Sequence, residues 1–217
     1  MANRTTQQAI YELLRDRLIT GRIPPGEPVV VSTVAEAEGV STMPVREAIR
    51  RLIAENALEL MDNRRVRVPI MSPARFEQLL EARIALEVLA GERAMPAIGP
   101  ADLAELREID RRSDDMLAAG NFLGVVGNNF HFHRTIYTSV PSRTLMALIE
   151  NVWMQLGPFM VTAMQAVPKT YTIDRHLEIL DALGAQDPFR LRVAIVADVR
   201  DGIGHLGEHL FEARAAQ

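Results

Sequence analysis

From Ser72 onward nearly every apolar residue of this chain recurs at the three-to-four spacing of an amphipathic helix. Glycine and proline cut that pattern at Gly99-Pro100, Gly120, Pro141-Ser142, Pro168 and Asp187-Pro188. The breaks predict helices over about 72–95, 100–119, 121–139, 142–165, 171–184 and 187–213. Helices joined by such short loops can bury their apolar stripes only against one another, so an antiparallel bundle follows. The composition agrees. Aromatic residues are only 5% of the chain, and Leu, Ala, Ile, Val and Met supply most of its apolar material.

The first 71 residues read differently. Thr5 to Ile19 carries a helical stripe at Ile10, Leu13, Leu14 and Leu18, closed by Gly21 and the loop G-R-I-P-P-G-E-P. Ser32, followed by Thr33-Val34-Ala35-Glu36, suggests a capped second helix that stops at Gly39. Ser41 is placed to cap a third helix, with Pro44 in its first turn, running to about Asn56. Two β-like runs, A-L-E-L-M and V-R-V-P-I, then flank the turn signal D-N-R-R. Helix, short helix, turn, helix and β-hairpin in that order make a winged helix-turn-helix. The predicted fold is therefore mainly α, a winged helix-turn-helix over 1–71 and a helical bundle over 72–217, with the boundary near Ile70-Met71-Ser72-Pro73.

Charge bears on the partner. The chain has a formal net charge of −4, yet residues 1–70 hold ten arginines against nine acids. Arg46, Arg50 and Arg51 gather on the third helix, whose other stripe is Val45, Ala48, Ile49 and Leu52. In a recognition helix Arg46 and Arg50 would face the major groove, where a guanidinium fork bridges guanine O6/N7 or two phosphate oxygens. The competing view is a solvated face with Glu47 and Arg51 as an i,i+4 ion pair. The absence of cysteine excludes disulfides and thiolate metal sites and points to a reducing compartment, hence a cytoplasmic protein. The longest apolar stretch, Leu156 to Pro168, is too short and too interrupted to span a bilayer.

The stretch V-S-T-V-A-E-A-E-G-V-S-T-M-P-V-R-E-A-I-R-R-L-I-A-E-N-A-L resembles the DNA-binding segment of GntR-family bacterial transcription regulators. The helical remainder resembles the FadR-like branch with a ligand-binding FCD domain. The resemblance implies a homodimeric regulator of double-stranded operator DNA, responsive to a small organic acid. Its DNA contacts would come from Ser32, Ser41, Thr42, Arg46 and Arg50, and from Arg64 and Arg65 in the wing. Two usual basic contacts are replaced, by Thr42 and by Ser32, and the wing lacks the usual glycine at its tip. The operator therefore need not be the common one.

All five histidines fall in the bundle. His131 and His133 point about 200° apart on a helix, whereas Asn129 and His133, at i and i+4, share a face. The FCD resemblance implies a metal set at Asn129, His133, His176 and Asp198, with an amide and a carboxylate replacing two usual ligands. Two imidazoles and a carboxylate suit Zn²⁺, Ni²⁺ or Mn²⁺. The altered pair leaves a retained, a retuned and a lapsed site all open. Asp201, His205 and His209 are expected on an exposed face near the C-terminus, where the helix dipole favours histidine. The resemblance also places Arg83 toward an effector carboxylate; the alternative is an ion pair with Glu87 at i+4. A rival function, a metal-dependent enzyme using the bundle site, lacks any nucleophile–base pair or H-E-x-x-H spacing and leaves the winged helix idle. A purely protein-binding helical adaptor leaves the arginines idle.

Overall fold

The computed structural model describes residues 5–166 and 175–215. The predicted break at Pro168 and the first residues of the helix expected from 171 lie outside them. Helix α1 (Thr6–Ile19) is capped by Thr5, whose hydroxyl accepts from the Gln8 N–H, and α2 (Val31–Ala37) and α3 (Thr42–Ala54) complete a three-helix unit. Val45, Ala48, Ile49 and Leu52 of α3 are buried, so the amphipathic stripe packs inward as its spacing requires. Strands β1 (Glu59–Leu60) and β2 (Val66–Arg67) form an antiparallel wing, Glu59 opposite Arg67 and Leu60 opposite Val66. The strands are shorter than the β-like runs because the Ala57 and Leu58 N–H groups bond the Leu52 carbonyl at the end of α3 and the Val68 N–H bonds the Glu27 carbonyl. Arg64, φ 61°, lies in the turn between the strands.

The capping expectations need correction. Ser32 lies inside α2, whose N-cap is Val30 with no side-chain bond. Ser41 does occupy the α3 N-cap, but its hydroxyl makes no capping hydrogen bond.

The bundle comprises α4 (Pro73–Ala94), α5 (Pro100–Ala118), α6 (Phe122–Thr138), α7 (Arg143–Ala166), α8 (His176–Ala185), α9 (Pro188–Val199) and α10 (His205–Ala215). Helix α4 packs on α7 and α9, α6 on α5 and α7, and α8 on α5 and α9. The single helix expected over 187–213 is instead interrupted by a π-helical turn at Arg200–Gly204. Such a turn admits one extra residue per turn and commonly accompanies a functional site.

Helix α7 also carries the three-helix unit. Gly157 lies so close to the end of α1 that a Cβ there would run into the carbonyl oxygens of Leu18 and Ile19. Around this contact Arg15 pairs with Glu150 at 2.7 Å, and the Asn151 amide donates to the Glu55 carbonyl at 3.0 Å. Arg75 donates to both the Asn56 carbonyl and Gln155 Oε1. The other side of α7 turns Trp153, Met160 and Met164 into the bundle. Among the described residues no helix is long and apolar enough to cross a membrane.

Candidate functional sites

The outward face of α3 is the first site. Thr42, Arg46 and Arg50 are exposed, as are Ser41 before the helix and Ser32 on α2. Arg46 has no carboxylate partner among the described residues. Arg50 pairs with Glu47 but keeps 71% of its side chain exposed. The ion pair expected between Glu47 and Arg51 does not form. Arg51 turns toward α1, where it bonds Glu55 at 3.0 Å and its guanidinium lies 3.6 Å above the Tyr11 ring. That arginine serves the fold. Arg64 and Arg65 are exposed at the wing tip, where Asn63 Oδ1 accepts from the Arg65 N–H.

The second site is inside the bundle. His133 of α6, His176 of α8 and Asp198 of α9 bring ligand atoms within 4.8 Å of one another, all three buried. His133 Nε2 lies 3.2 Å from Asp198 Oδ2, and His176 Nε2 lies 3.8 Å from Asp198 Oδ1. Asn129 joins them, its amide nitrogen 3.1 Å from His176 Nε2. Phe132, stacked on the His176 ring at 4.0 Å, fixes that ring's plane. The Arg175 N–H, donating to Asp198 Oδ1 at 3.1 Å, fixes the carboxylate. The four residues named by resemblance thus meet in one place.

Their protonation follows from the hydrogen bonds behind them. Tyr137 donates its hydroxyl proton to Glu87 Oε2 at 2.8 Å, so toward His133 Nδ1, 3.0 Å away, it can only accept. Burial, and then the Glu87 charge, push the Tyr137 hydroxyl well above its ordinary range, so it keeps that proton. His133 accordingly carries hydrogen on Nδ1 and presents Nε2 to Asp198. His176 Nδ1 likewise faces Asp110 at 2.7 Å, leaving Nε2 to face the cluster. Burial works to raise the Asp198 carboxyl, but His133, His176 and Arg83 outweigh it and hold it well below the usual carboxylate range. Buried within this cluster, His133 Nε2 and Asn129 Oδ1 have no hydrogen-bond partner among the described residues. A cation held between Nε2 and the Asp198 carboxylate, proton or metal, satisfies both groups. The donor set, with both Nδ1 atoms oriented from behind, fits a divalent metal held by His133, His176 and Asp198 with Asn129 beside them.

Beside the cluster lies a cavity of about 80 Å³, several times the roughly 10–15 Å³ that one water needs. Its polar lining is Arg83, Ser113, Asp114, Asn129, His176 and Asp198, and its apolar walls include Leu117, Val125, Met160, Met164 and Leu206. Gly202 and Ile203 belong to the π-helical turn, which thereby shapes the pocket. The ion pair expected between Arg83 and Glu87 forms, at 2.9 Å, and Arg83 also lines the cavity. Glu87, fully buried, also accepts from Trp153 Nε1 at 2.6 Å. The sequence reading did not find Asp110, Tyr137 or Trp153. Tyr137 carried a usable signal, since it stands four residues after His133 on the same helix. The last-helix trio is no comparable cluster: Asp201 is engaged by Arg175, and the His205 and His209 rings rest against each other at 4.4 Å.

A winged helix with an outward cationic ridge, docked on a helical bundle with a pocket polar at one end, is the architecture of a DNA-binding regulator. Comparison with known proteins agrees. Residues 6–68 match the family of bacterial regulatory proteins, gntR family, and residues 78–201 match the FCD domain. The chain belongs to the GntR regulators that carry an FCD domain, and it is a transcriptional regulator with a DNA-binding domain. It is similar to the HTH-type transcriptional regulator McbR of Escherichia coli strain K12, 29% identical over 177 residues and 80% of each chain. A probable D-xylose utilization operon transcriptional repressor of Paenarthrobacter nicotinovorans is 26% identical, over 86% of this chain and 84% of that one. The solved E. coli McbR/YncC structure superposes with a TM-score of 0.86 at 26% identity, covering 95% of this chain and 99% of the other. A putative GntR regulator from Rhodococcus sp. RHA1, at 23% identity and a TM-score of 0.72 over 92% and 96%, shares the fold. These relatives are transcription regulators and not enzymes.

Proposed function

We propose that this regulator senses a small organic acid in the bundle cavity through a divalent metal, Zn²⁺, Ni²⁺ or Mn²⁺, held by His133, His176 and Asp198 with Asn129. The observation that carries the reading is the buried convergence of His133, His176 and Asp198, whose ligand atoms lie within 4.8 Å of one another. The metal, when bound, supplies positive charge for a ligand carboxylate, and Arg83 at the polar end of the cavity supplies a second cation. Residues 1–71 act as the DNA-binding head, reading through Arg46, Arg50, Thr42, Ser41 and Ser32 with Arg64 and Arg65 from the wing. Residues 72–217 act as the effector-binding and dimerising domain. Support for communication between them is α7, which places Met160 and Met164 in the cavity wall and Gly157 against α1. A coupling of about 1–3 kcal/mol between effector and DNA changes operator occupancy usefully.

The working form is a cytoplasmic homodimer on a near-palindromic operator. Support comes from Leu89 on α4 and from Phe189 and Val193 on the adjacent α9, large apolar side chains left exposed for a second copy to cover.

One preparation tests these statements. Purified protein is stripped with chelator, reloaded with each metal, and titrated with duplex DNA selected from a randomised library, with and without a panel of mono- and dicarboxylates. Metal should bind near one equivalent per chain, and at least one acid should shift DNA affinity only in the loaded protein. No metal uptake, with acid responses unaltered by chelation, would remove the metal from the reading. Sedimentation of the same sample reads the dimer directly, and a monomer at micromolar concentration would exclude it.

A further inference from the structure

Over its first nine residues, the face of α3 directed away from the protein carries Met43, Arg46, Glu47 and Arg50. At about 100° per residue, Met43 and Arg50 stand roughly opposite the buried stripe of Val45, Ala48, Ile49 and Leu52. Glu47 and Arg50 hold each other in an ion pair. Arg46 and Met43 are left, and Met43 is 64% exposed. Ser41 and Thr42 beside it are short, so Met43 is the long side chain at the N-terminal end of the ridge. Recognition helices meet base edges with their N-terminal residues. A flexible thioether there can neither donate to nor strongly accept from a base. Laid on a polar base edge it would leave donors and acceptors unpaired, at a cost in affinity. The apolar group on a major-groove edge is the thymine C5-methyl.

We infer that Met43 is a specificity-determining residue that packs on a thymine methyl, selecting T at one position of each half-site. The inference rests on α3 lying in the major groove, so its test must separate the two. Duplexes are first selected from a randomised library with the wild-type protein. In the best site each dT is then replaced singly by dU, which deletes the methyl and preserves base pairing. At one position per half-site the wild-type chain should lose about fourfold in affinity, the worth of one buried methyl. Met43→Ala, a change at an exposed position that leaves the core untouched, should show no loss at that position and keep the losses elsewhere.

Equal dT-to-dU losses in both proteins, or no loss anywhere in the wild type, would overturn the assignment. Arg46→Ala run beside them identifies the level of a failure. If it weakens binding while Met43→Ala leaves the thymine scan unaltered, only the methyl contact is wrong. If Arg46→Ala also binds as well as the wild type, the groove placement of α3 falls with it.

Discussion

The outer ridge of α3 and the floor of the bundle cavity both hold ionised side chains, and the protein treats them in opposite ways. On the ridge Arg46 is exposed with no carboxylate partner among the described residues, and Arg50 keeps most of its surface in water. In the floor Arg83 is 2% exposed and Glu87 fully buried, and Glu87 accepts from Arg83, Tyr137 and Trp153 together. A solvated cation costs the fold almost nothing and remains free for another molecule's anions. A buried carboxylate is tolerable only with each of its donors in place. Substitutions in the two regions should therefore separate, one altering DNA binding at constant stability and the other altering stability first.

The largest expected effect tests the buried half. Glu87→Ala strands the Arg83 guanidinium in the core and strips partners from Tyr137 and Trp153. Removing one member of a buried pair costs about 3–5 kcal/mol. Urea unfolding should show the midpoint falling by the corresponding amount, with loss of metal uptake because Tyr137, no longer held by Glu87, ceases to fix the orientation of His133. A midpoint within experimental error of the wild type would mean that the network is not what holds the floor together.

The exposed half predicts the reverse pattern. Arg46→Ala should weaken binding to selected duplex by about 1–3 kcal/mol if the guanidinium reads a guanine. If it sits on phosphate instead, binding should weaken evenly across sequences and the salt slope should fall by about one. In either case the unfolding midpoint should stay within about 0.5 kcal/mol of the wild type, as for surface changes generally. A clear loss of stability would show that Arg46 serves the fold, and the contrast between the regions would weaken.

The same contrast explains what the sequence could and could not reveal. Helix positions and the order helix, helix, helix, hairpin were legible because apolar spacing and Gly/Pro punctuation act locally. Arg46 was legible for the same reason, since an outward residue on an amphipathic helix is defined by its own helix. The second layer around the metal set was not. Asp110 reaches His176 from α5 across 66 residues, and Trp153 reaches Glu87 from α7 across another 66, so only packing pairs them. The π-helical turn at Arg200–Gly204 was missed because its residues keep helical periodicity on both sides. The Ser32 cap failed because α2 begins at Val31, two residues before the start a Ser32 cap requires, which leaves the hydroxyl inside the first turn.

The smallest effect concerns a group lying between the two regimes. Tyr11 of α1 donates its hydroxyl to Glu55 Oε2 at 2.8 Å, beneath the Arg51 guanidinium, and the Glu55 carbonyl in turn accepts from Asn151 of α7. Burial, then the Glu55 hydrogen bond and charge, push its pKa from 10.0 up to about 12. A raised tyrosine pKa means that the folded state favours the neutral phenol. The associated stability is complete below pH 10, where the unfolded chain also keeps the proton. It is lost as pH rises from 10 toward 12, because there the unfolded chain has released a proton that the native one retains. Tyr137 contributes in the same direction, so the wild type alone cannot isolate the effect. Tyr11→Phe can. Its midpoint at neutral pH should fall by about 0.5–1.5 kcal/mol for the lost hydrogen bond, and the gap to the wild type should narrow between pH 10 and 12. A gap constant across that range would mean that Tyr11 ionises no later in the folded chain than in the unfolded one. Glu55 would then belong, with Arg46, to the solvated half of the molecule.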